Sequence, residues 1–414
     1  MKEHQILIVG GGTAGIMVAS QLRQANPTLD IGLIEPAETH YYQPAWTLVG
    51  ANAYKFEDTA RPMKQLIPKG VNWIKEYAAS FDPSNNRVTT KDGNTFTYEY
   101  LVVCPGLKID PSMVEGLSEV MDSGAVCSNY TNPKHTWDVI KNFKGGTALF
   151  TQANTPIKCG GAPQKIMYLA DDHFRKSGVR SKSQVLYALP AGAIFGVKEI
   201  AETLMDVVDR KDINLRFGHE LVKVDGANQI AWYKMGPDFK DYNHKDLKIS
   251  TDGDLTGIHY DMMHLAPPQR SPDFIKNSPL ATAGGWLSVD PKTMQHTKFQ
   301  NIFGLGDVAE LPTAKTGAAI RKQVPVVVAN LLSMVKNAKI SEKHYDGYSS
   351  CPLVTGYGKM VLAEFDYDKK FMPDPKLKQL LLFNSNKEHW RLWILKKYLL
   401  PYLYWNKMMK GKDV

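Results

Sequence analysis

The chain has no two cysteines at C-x-x-C or C-x-x-H spacing. Its four, Cys104, Cys127, Cys159 and Cys351, lie far apart. That argues against a zinc site, and no metal is expected. No run of residues approaches the roughly 20 apolar positions of a membrane-spanning helix. The N-terminus opens straight into a strand pattern, without a charged leader and apolar h-region. No signal peptide is therefore expected, although a mature form with its leader removed would read the same way. There is no low-complexity segment, and no internal repeat beyond two αβ halves. Net charge is scarce outside the tail. Residues 376–414 hold nine Lys or Arg against two acids, which leaves the rest near +1 of the total +8. Nucleic acid is thus not an expected partner. A length of 414 residues suits two or three domains, and 43% hydrophobic with 22% charged residues is ordinary for a globular chain.

What is present starts at the N-terminus. His4–Val9 is an apolar, β-branched run that reads as a buried strand. Gly10-Gly11-Gly12-Thr13-Ala14-Gly15 follows, then a helical stretch to Gln24. This is the G-x-G-x-x-G fingerprint in its strand–turn–helix context. Gly10 allows the tight turn, Gly12 lets the backbone approach a pyrophosphate, and Gly15 lets helix and strand pack. The helix start supplies free N–H groups and positive dipole. A second strand, Ile31–Ile34, ends in Glu35, placed to accept hydrogen bonds from a ribose. Taken alone, the pattern fits any dinucleotide.

A second αβ unit begins near Gly146, with a strand at 148–150, a helix at 163–176 and a strand at 184–189. Pro190–Gly196 falls where a second fingerprint would sit, but only Gly192 and Gly196 remain and the spacing is wrong. No acid closes the following strand, 213–217, until Glu220. The reading is a Rossmann-like half that no longer grips NAD(H). Near Leu287–Asp290 the chain returns to the first half. Asn301–Asp307 is a strand ending in Gly-Asp, a helix follows over 317–336, and residues 345–367 carry two β-like runs around Cys351.

At Gly306-Asp307 the chain resembles the two-dinucleotide-domain flavoprotein reductases. The segments Thr155–Lys165 and Tyr348–Tyr357 narrow this to the sulfide:quinone oxidoreductases, and to their type II, mitochondrial-like branch. Gly192–Lys198, Leu362–Tyr367 and Tyr402–Asn406 support the likeness, which runs over nearly the whole chain. The resemblance implies an α/β fold with two Rossmann-like dinucleotide-binding domains. Residues 1–110 and 284–340 would bind FAD non-covalently, and 111–283 would be the degenerate second domain. Residues 341–414 would carry the second cysteine and a C-terminal membrane-interface helical segment. Gly10, Gly12, Gly15 and Glu35 would then serve FAD. Asp307 would hold its ribityl or pyrophosphate part, with Lys315 and Thr316 at the flavin O2/N1 end. Val103-Cys104-Pro105-Gly106 departs from the family's usual Ala-Thr-Gly, and Cys104 reads as a small buried residue.

The resemblance also implies the chemistry. Cys159 and Cys351 would rest joined through sulfur, as a disulfide or with an extra sulfur between them. Hydrosulfide would attack the Cys351 side and leave a persulfide there. The freed Cys159 thiolate would attack flavin C4a, and the electrons would pass to a quinone. The sulfane sulfur would leave to an acceptor such as glutathione or sulfite. From the residues themselves, Cys159 precedes a helix and adjoins Lys158, and both features favour the thiolate. Cys127 and His264 read as structural.

The tail gathers Trp390, Trp393, Trp405, Tyr398, Tyr402 and Tyr404 between Lys396, Lys397 and Lys407. That composition fits helices lying in a membrane interface. A peripheral protein on the cytoplasmic face of a bacterial inner membrane is expected, and a homodimer is open to it. Two alternatives stand: a type II NADH:quinone oxidoreductase, and a non-catalytic flavoprotein binding partners through its basic tail.

Overall fold

The structure is a computed structural model that describes residues 2–243, 246–375, 379 and 384–413. Lys2–Val9 pairs in parallel with Ile31–Ile34 on one side and Thr95–Val103 on the other. A strand with neighbours on both edges and helices over its faces must be apolar throughout, which accounts for the run Ile6–Val9. Val71–Ile74 extends this sheet beyond Ile31–Ile34, and Arg87–Thr90 with Ala78–Asp82 extends it as an antiparallel flap. Ile302–Gly304, almost 200 residues further on, joins Thr95–Val103 in parallel. One sheet is thus assembled from two separate stretches of chain. Helices Thr13–Ala25 and Gly317–Asn337 pack together against it.

Gly317–Asn337 corrects the expectation that no stretch is long and apolar enough to span a bilayer. By length and composition this 21-residue helix qualifies. Its apolar residues are nonetheless core: Val324, Val327 and Leu331 are fully buried beside Ile16 and Leu22.

The second sheet has eight strands. Val126–Cys127, Met262–Ala266, Gly146–Gln152, Ser183–Ala188 and Asn214–Asp225 run parallel, and Ile230–Tyr242, Leu255–His259 and Ile249–Asp252 continue it antiparallel. Helices Ala162–Lys176 and Lys198–Lys211 follow its strands, as the spacing of their apolar residues predicts. The hairpin Ser349–Gly356 with Lys359–Phe365 packs on Ala162–Lys176 and on Gly317–Asn337, so it touches both halves.

The expected tail helix begins at residue 376, and 376–378 and 380–383 lie outside the described residues. From Trp390 the chain is helical to Asn406, with one wide turn at Leu395–Leu399 in which the Leu400 amide reaches back to the Leu395 carbonyl. Pro401, which has no N–H, follows directly. The tail is not a detached segment. Leu392 and Leu395 enter the core around the second sheet, and Tyr404, Met408 and Met409 enter the core around the first.

Candidate active site

Two loops meet where the halves join. Lys158 forms a β-bridge with Lys315, and the Cys159 amide donates to the Lys315 carbonyl at 2.9 Å. The loop before helix Ala162–Lys176 is thereby tied to the segment that opens helix Gly317–Asn337. Cys159 sits there with φ of +54°. A left-handed backbone at a non-glycine residue costs about 1–3 kcal/mol and clusters at functional sites. The Tyr130 hydroxyl donates to the Cys159 carbonyl at 3.2 Å and steadies the turn.

Cys351 arrives from the hairpin. Its Sγ lies 3.6 Å from Cys159 Sγ, and the two sulfurs are unbonded. The approach is close because residue 161 is glycine: a Cβ there would stand 2.8 Å from Cys351 Sγ. Lys165, one turn into the helix and 3% exposed, points its Nζ at Cys159 Sγ at 2.9 Å. The sequence assigned this electrostatic part to Lys158. The structure turns the Lys158 ammonium away, to Gln43 Oε1.

This arrangement makes the sulfurs unequal. The hydrogen bond from Cys351 and then the Lys165 ammonium hold Cys159 well below the usual thiol range, against the burial that opposes its charge. Cys351 is pushed well above that range as the donor of the same hydrogen bond and by burial. Lys165 keeps its proton: burial disfavours the charge, and the two sulfurs outweigh it. A second buried lysine, Lys396 from the wide tail turn, stands in the same electrostatic field. Its Nζ donates to the Pro44 carbonyl at 2.7 Å, and burial followed by the Lys165 charge lowers its pKa to about 7. The sequence placed Lys396 at the membrane side, but it is 4% exposed.

The residues expected at a dinucleotide lie along the other half. Gly10 has φ of +106°, and a Cβ on Gly15 would lie 1.8 Å from the Gly10 carbonyl oxygen, so neither position admits a side chain. A Cβ on Gly12 would meet nothing within 4 Å. Glu35 accepts hydrogen bonds from the Gly11 and Ala37 amides, each at 2.7 Å, a local use of its carboxylate that the sequence did not show. Burial raises its pKa, and those amides oppose the rise. Asp307 follows the strand Ile302–Gly304. Burial raises its pKa too, countered by Lys158 and Lys315.

Gly306, Asp307, Lys315 and Thr316 line one small cavity. Lys315 Nζ turns to the carbonyls of Asp307 and Ala309, at 2.7 and 3.0 Å, and lies over the Trp286 ring, with its pKa lowered to about 8 by burial. Thr316 caps its helix through the Ala319 amide, and its hydroxyl meets Ser349 at 2.8 Å. Cys104 is buried against the Gly10 carbonyl, and Cys127 is fully buried; burial pushes both thiols far up. His264 is fully buried against Asn129, and burial pushes its pKa down to about 3, so it is neutral at physiological pH. Among the described residues, no group of three His, Cys, Asp or Glu is placed to hold a metal ion.

Residues 4–142 match the family model described as pyridine nucleotide-disulphide oxidoreductase. The chain is 41% identical over 413 residues to the mitochondrial sulfide:quinone oxidoreductase of Dictyostelium discoideum, covering 99% of this chain and 86% of that protein. It is 37% identical over 412 residues to the mitochondrial enzyme of that name from Mus musculus, covering 99% and 87%. The chain belongs to the sulfide:quinone oxidoreductases. The solved structure of the sulfide:quinone oxidoreductase from Aquifex aeolicus shares the fold, with a TM-score of 0.79 over 100% of this chain and 92% of that one, at 20% identity. Family membership implies a flavin cofactor.

Sequence reasoning missed Lys165, Lys396, Tyr130 and Gly161. One signal for Lys165 was available. It lies six residues past Cys159, in the first turn of a helix that starts three residues after the cysteine, and so can fold back onto the sulfur. Lys396 gave no local signal, because a lysine among tyrosines and leucines reads as interfacial whichever way it turns.

Proposed function

We propose that the chain oxidises hydrogen sulfide at the Cys159–Cys351 pair and delivers two electrons to a quinone. The observation that carries this reading is the Lys165 ammonium 2.9 Å from one sulfur of a buried pair 3.6 Å apart. In thiol–disulfide exchange the sulfur of lower pKa leaves faster. With the pair joined, hydrosulfide attacks Cys351 Sγ, the bond to Cys159 breaks, and Cys159 departs with the electron pair as a thiolate held by Lys165. Cys351 then carries the persulfide. A nucleophile such as glutathione or sulfite takes its outer sulfur and leaves a Cys351 thiolate.

We place FAD as the cofactor, bound non-covalently by residues 1–110 and 284–340, with 111–283 as a second domain and 341–414 as the C-terminal segment. The residues fit such a group. Gly12 opens onto free space, and the helix start at Thr13 has no side-chain cap, which leaves its N–H groups for a pyrophosphate. The Asp307 carboxylate has no protein hydrogen bond among the described residues, and it shares its cavity with Lys315 and Thr316. Glu35 retains lone pairs for a ribose. When bound, a flavin supplies the two-electron carrier between the Cys159 sulfur and the quinone. Lys315 and the helix start at Thr316 place positive potential at that end of the cavity.

The tail supports attachment to a membrane surface. Trp390, Ile394, Tyr398 and Tyr402 recur every four residues and are exposed, at 56%, 45%, 61% and 57%. Lys397 and Arg391 flank them. An aromatic stripe with basic neighbours suits the headgroup boundary. The Dictyostelium and mouse relatives are named as mitochondrial proteins, which lends no support to the cytoplasmic face of a bacterial membrane.

Sulfide-dependent quinone reduction tests the function. The wild-type chain should reduce a short-chain quinone with sulfide, and mass spectrometry of enzyme quenched without acceptor should find one extra sulfur on the Cys351 peptide. Extra sulfur on the Cys159 peptide alone would reverse the assigned roles. Turnover retained in Cys351→Ser would refute the reading.

A further inference from the structure

The last helix turns a second face inward, onto the glycine turn. Tyr404, 4% exposed, hydrogen-bonds through its hydroxyl to Thr13 Oγ1 at 2.7 Å and to His40 Nε2 at 2.5 Å. Thr13 is the first residue of the helix that follows Gly10–Gly12. The Tyr404 ring stacks with His40 and meets Tyr42, with centroids 5.9 and 4.5 Å apart. The chain then runs along the helix: Ser20 Oγ donates to the Met409 carbonyl at 3.1 Å, Gln24 Nε2 donates to the Lys410 carbonyl, and Gly411 lies against the Gln21 backbone. Residues 404–411 therefore lie along helix Thr13–Ala25 from its first turn to its last.

We propose that Tyr404 is a positioning residue for the flavin. Its hydroxyl fixes the Thr13 side chain and the first helical turn against His40, so that the N–H groups after Gly12 stay aligned on the pyrophosphate. This rests on placing FAD at the Gly10–Gly15 turn. Burial lowers the His40 pKa to about 4, against a hydrogen bond with the Gly11 backbone, so at pH 7 its ring is neutral and bridges the tyrosine hydroxyl and the glycine turn. The same short helix carries the exposed stripe at 390–402, so what holds the tail also holds the flavin's phosphate turn. A buried hydroxyl with two partners, one the first residue of the helix after the glycine turn and the other a ring held against the Gly11 backbone, is more than filler. Phenylalanine would pack in the same space and would lose only these two bonds.

The test uses full-length protein, stripped of flavin and titrated with FAD. For Tyr404→Phe the apoprotein should melt within about a degree of wild type. FAD should then bind roughly 3–10-fold more weakly and raise the melting temperature by less than it does in wild type, since bound ligand stabilises by its affinity. The KM for sulfide should not change. Met409→Ala, which removes buried packing on the same helix but touches no atom of the turn, should lower apo and holo melting temperatures equally. Unchanged FAD affinity in Tyr404→Phe would overturn the proposal, as would equal losses in its apo and holo forms. If wild-type apoprotein gains no stability from FAD, the placement of the cofactor itself fails.

Discussion

At Gly10–Gly15, a Cβ added to Gly12 would meet nothing. At Ala191–Gly196, in the equivalent place of the other half, a Cβ on Gly192 would stand 2.9 Å from the Asp238 side chain, and one on Gly196 3.5 Å from Lys369. The Gly218 amide also bonds the Ala191 carbonyl at 3.3 Å. The first turn is a floor open to a ligand. The second is roofed by the long strand Ile230–Tyr242 and by the chain beyond the cysteine hairpin. It has acquired another task. The Ile194 carbonyl accepts from Gln164 Nε2 at 3.1 Å, which braces the helix bearing Lys165. Phe195 meets Phe365 of the hairpin, with centroids 6.0 Å apart. Roofed in this way, the second turn braces the helix that bears Lys165 and the hairpin that bears Cys351.

Breaking the sulfur entry should have the largest effect. Cys159→Ser or Cys351→Ser should slow flavin reduction by sulfide by at least about a thousandfold in stopped-flow absorbance, because the residues act as a unit. Filling the open floor comes next. Gly12→Val should reduce co-purified flavin, measured by its absorbance against protein, to less than about a tenth, because a branched side chain would occupy the pyrophosphate approach. Removing the charge beside the sulfur is milder and pH-dependent. In Lys165→Met the Cys159 thiolate should be lost at higher pH than in wild type, with its apparent pKa raised by about 1–3 units. The rate of flavin reduction at pH 7 should fall about 10–100-fold and recover as pH rises, read from a pH–rate profile. Altering the roofed turn should matter least. Gly192→Ala, whose Cβ would crowd the Asp238 side chain, should lower stability by about 1–3 kcal/mol and still leave sulfide oxidation within about threefold, read from melting and steady-state rates.

Much of this contrast was legible along the chain. The intact fingerprint, its terminal Glu35, the late Gly306-Asp307 and the spoiled copy at Pro190–Gly196 are local patterns, set by strand and helix periods and by turn chemistry. The cysteine segments were legible as a resemblance, since 192 residues separate the two sulfurs and only the fold joins them. What stayed hidden depends on which way a side chain turns. Lys158 adjoins Cys159 and Lys165 lies six residues on, yet helix geometry brings the more distant lysine to the sulfur. Lys396 and Tyr404 belong to a stretch whose composition suits a lipid surface, yet one face of that helix fills two protein cores. This also changes what the tail can test. Deleting it would remove Tyr404, Met408 and Met409 from the core, so loss of lipid binding would be confounded with loss of fold. Replacing Trp390, Tyr398 and Tyr402 together by serine removes only the exposed stripe, and should abolish co-sedimentation with anionic liposomes while melting temperature changes little.

The central claim is that electrons enter through the cysteine pair and not through the second dinucleotide turn. An anaerobic titration of the oxidised holoenzyme, followed by flavin absorbance, tests it most directly. Sulfide should bleach the flavin in wild type but not in Cys159→Ser or Cys351→Ser, and NADH should leave the spectrum unchanged in all three. Bleaching by NADH, or an undiminished response to sulfide in either variant, would contradict it.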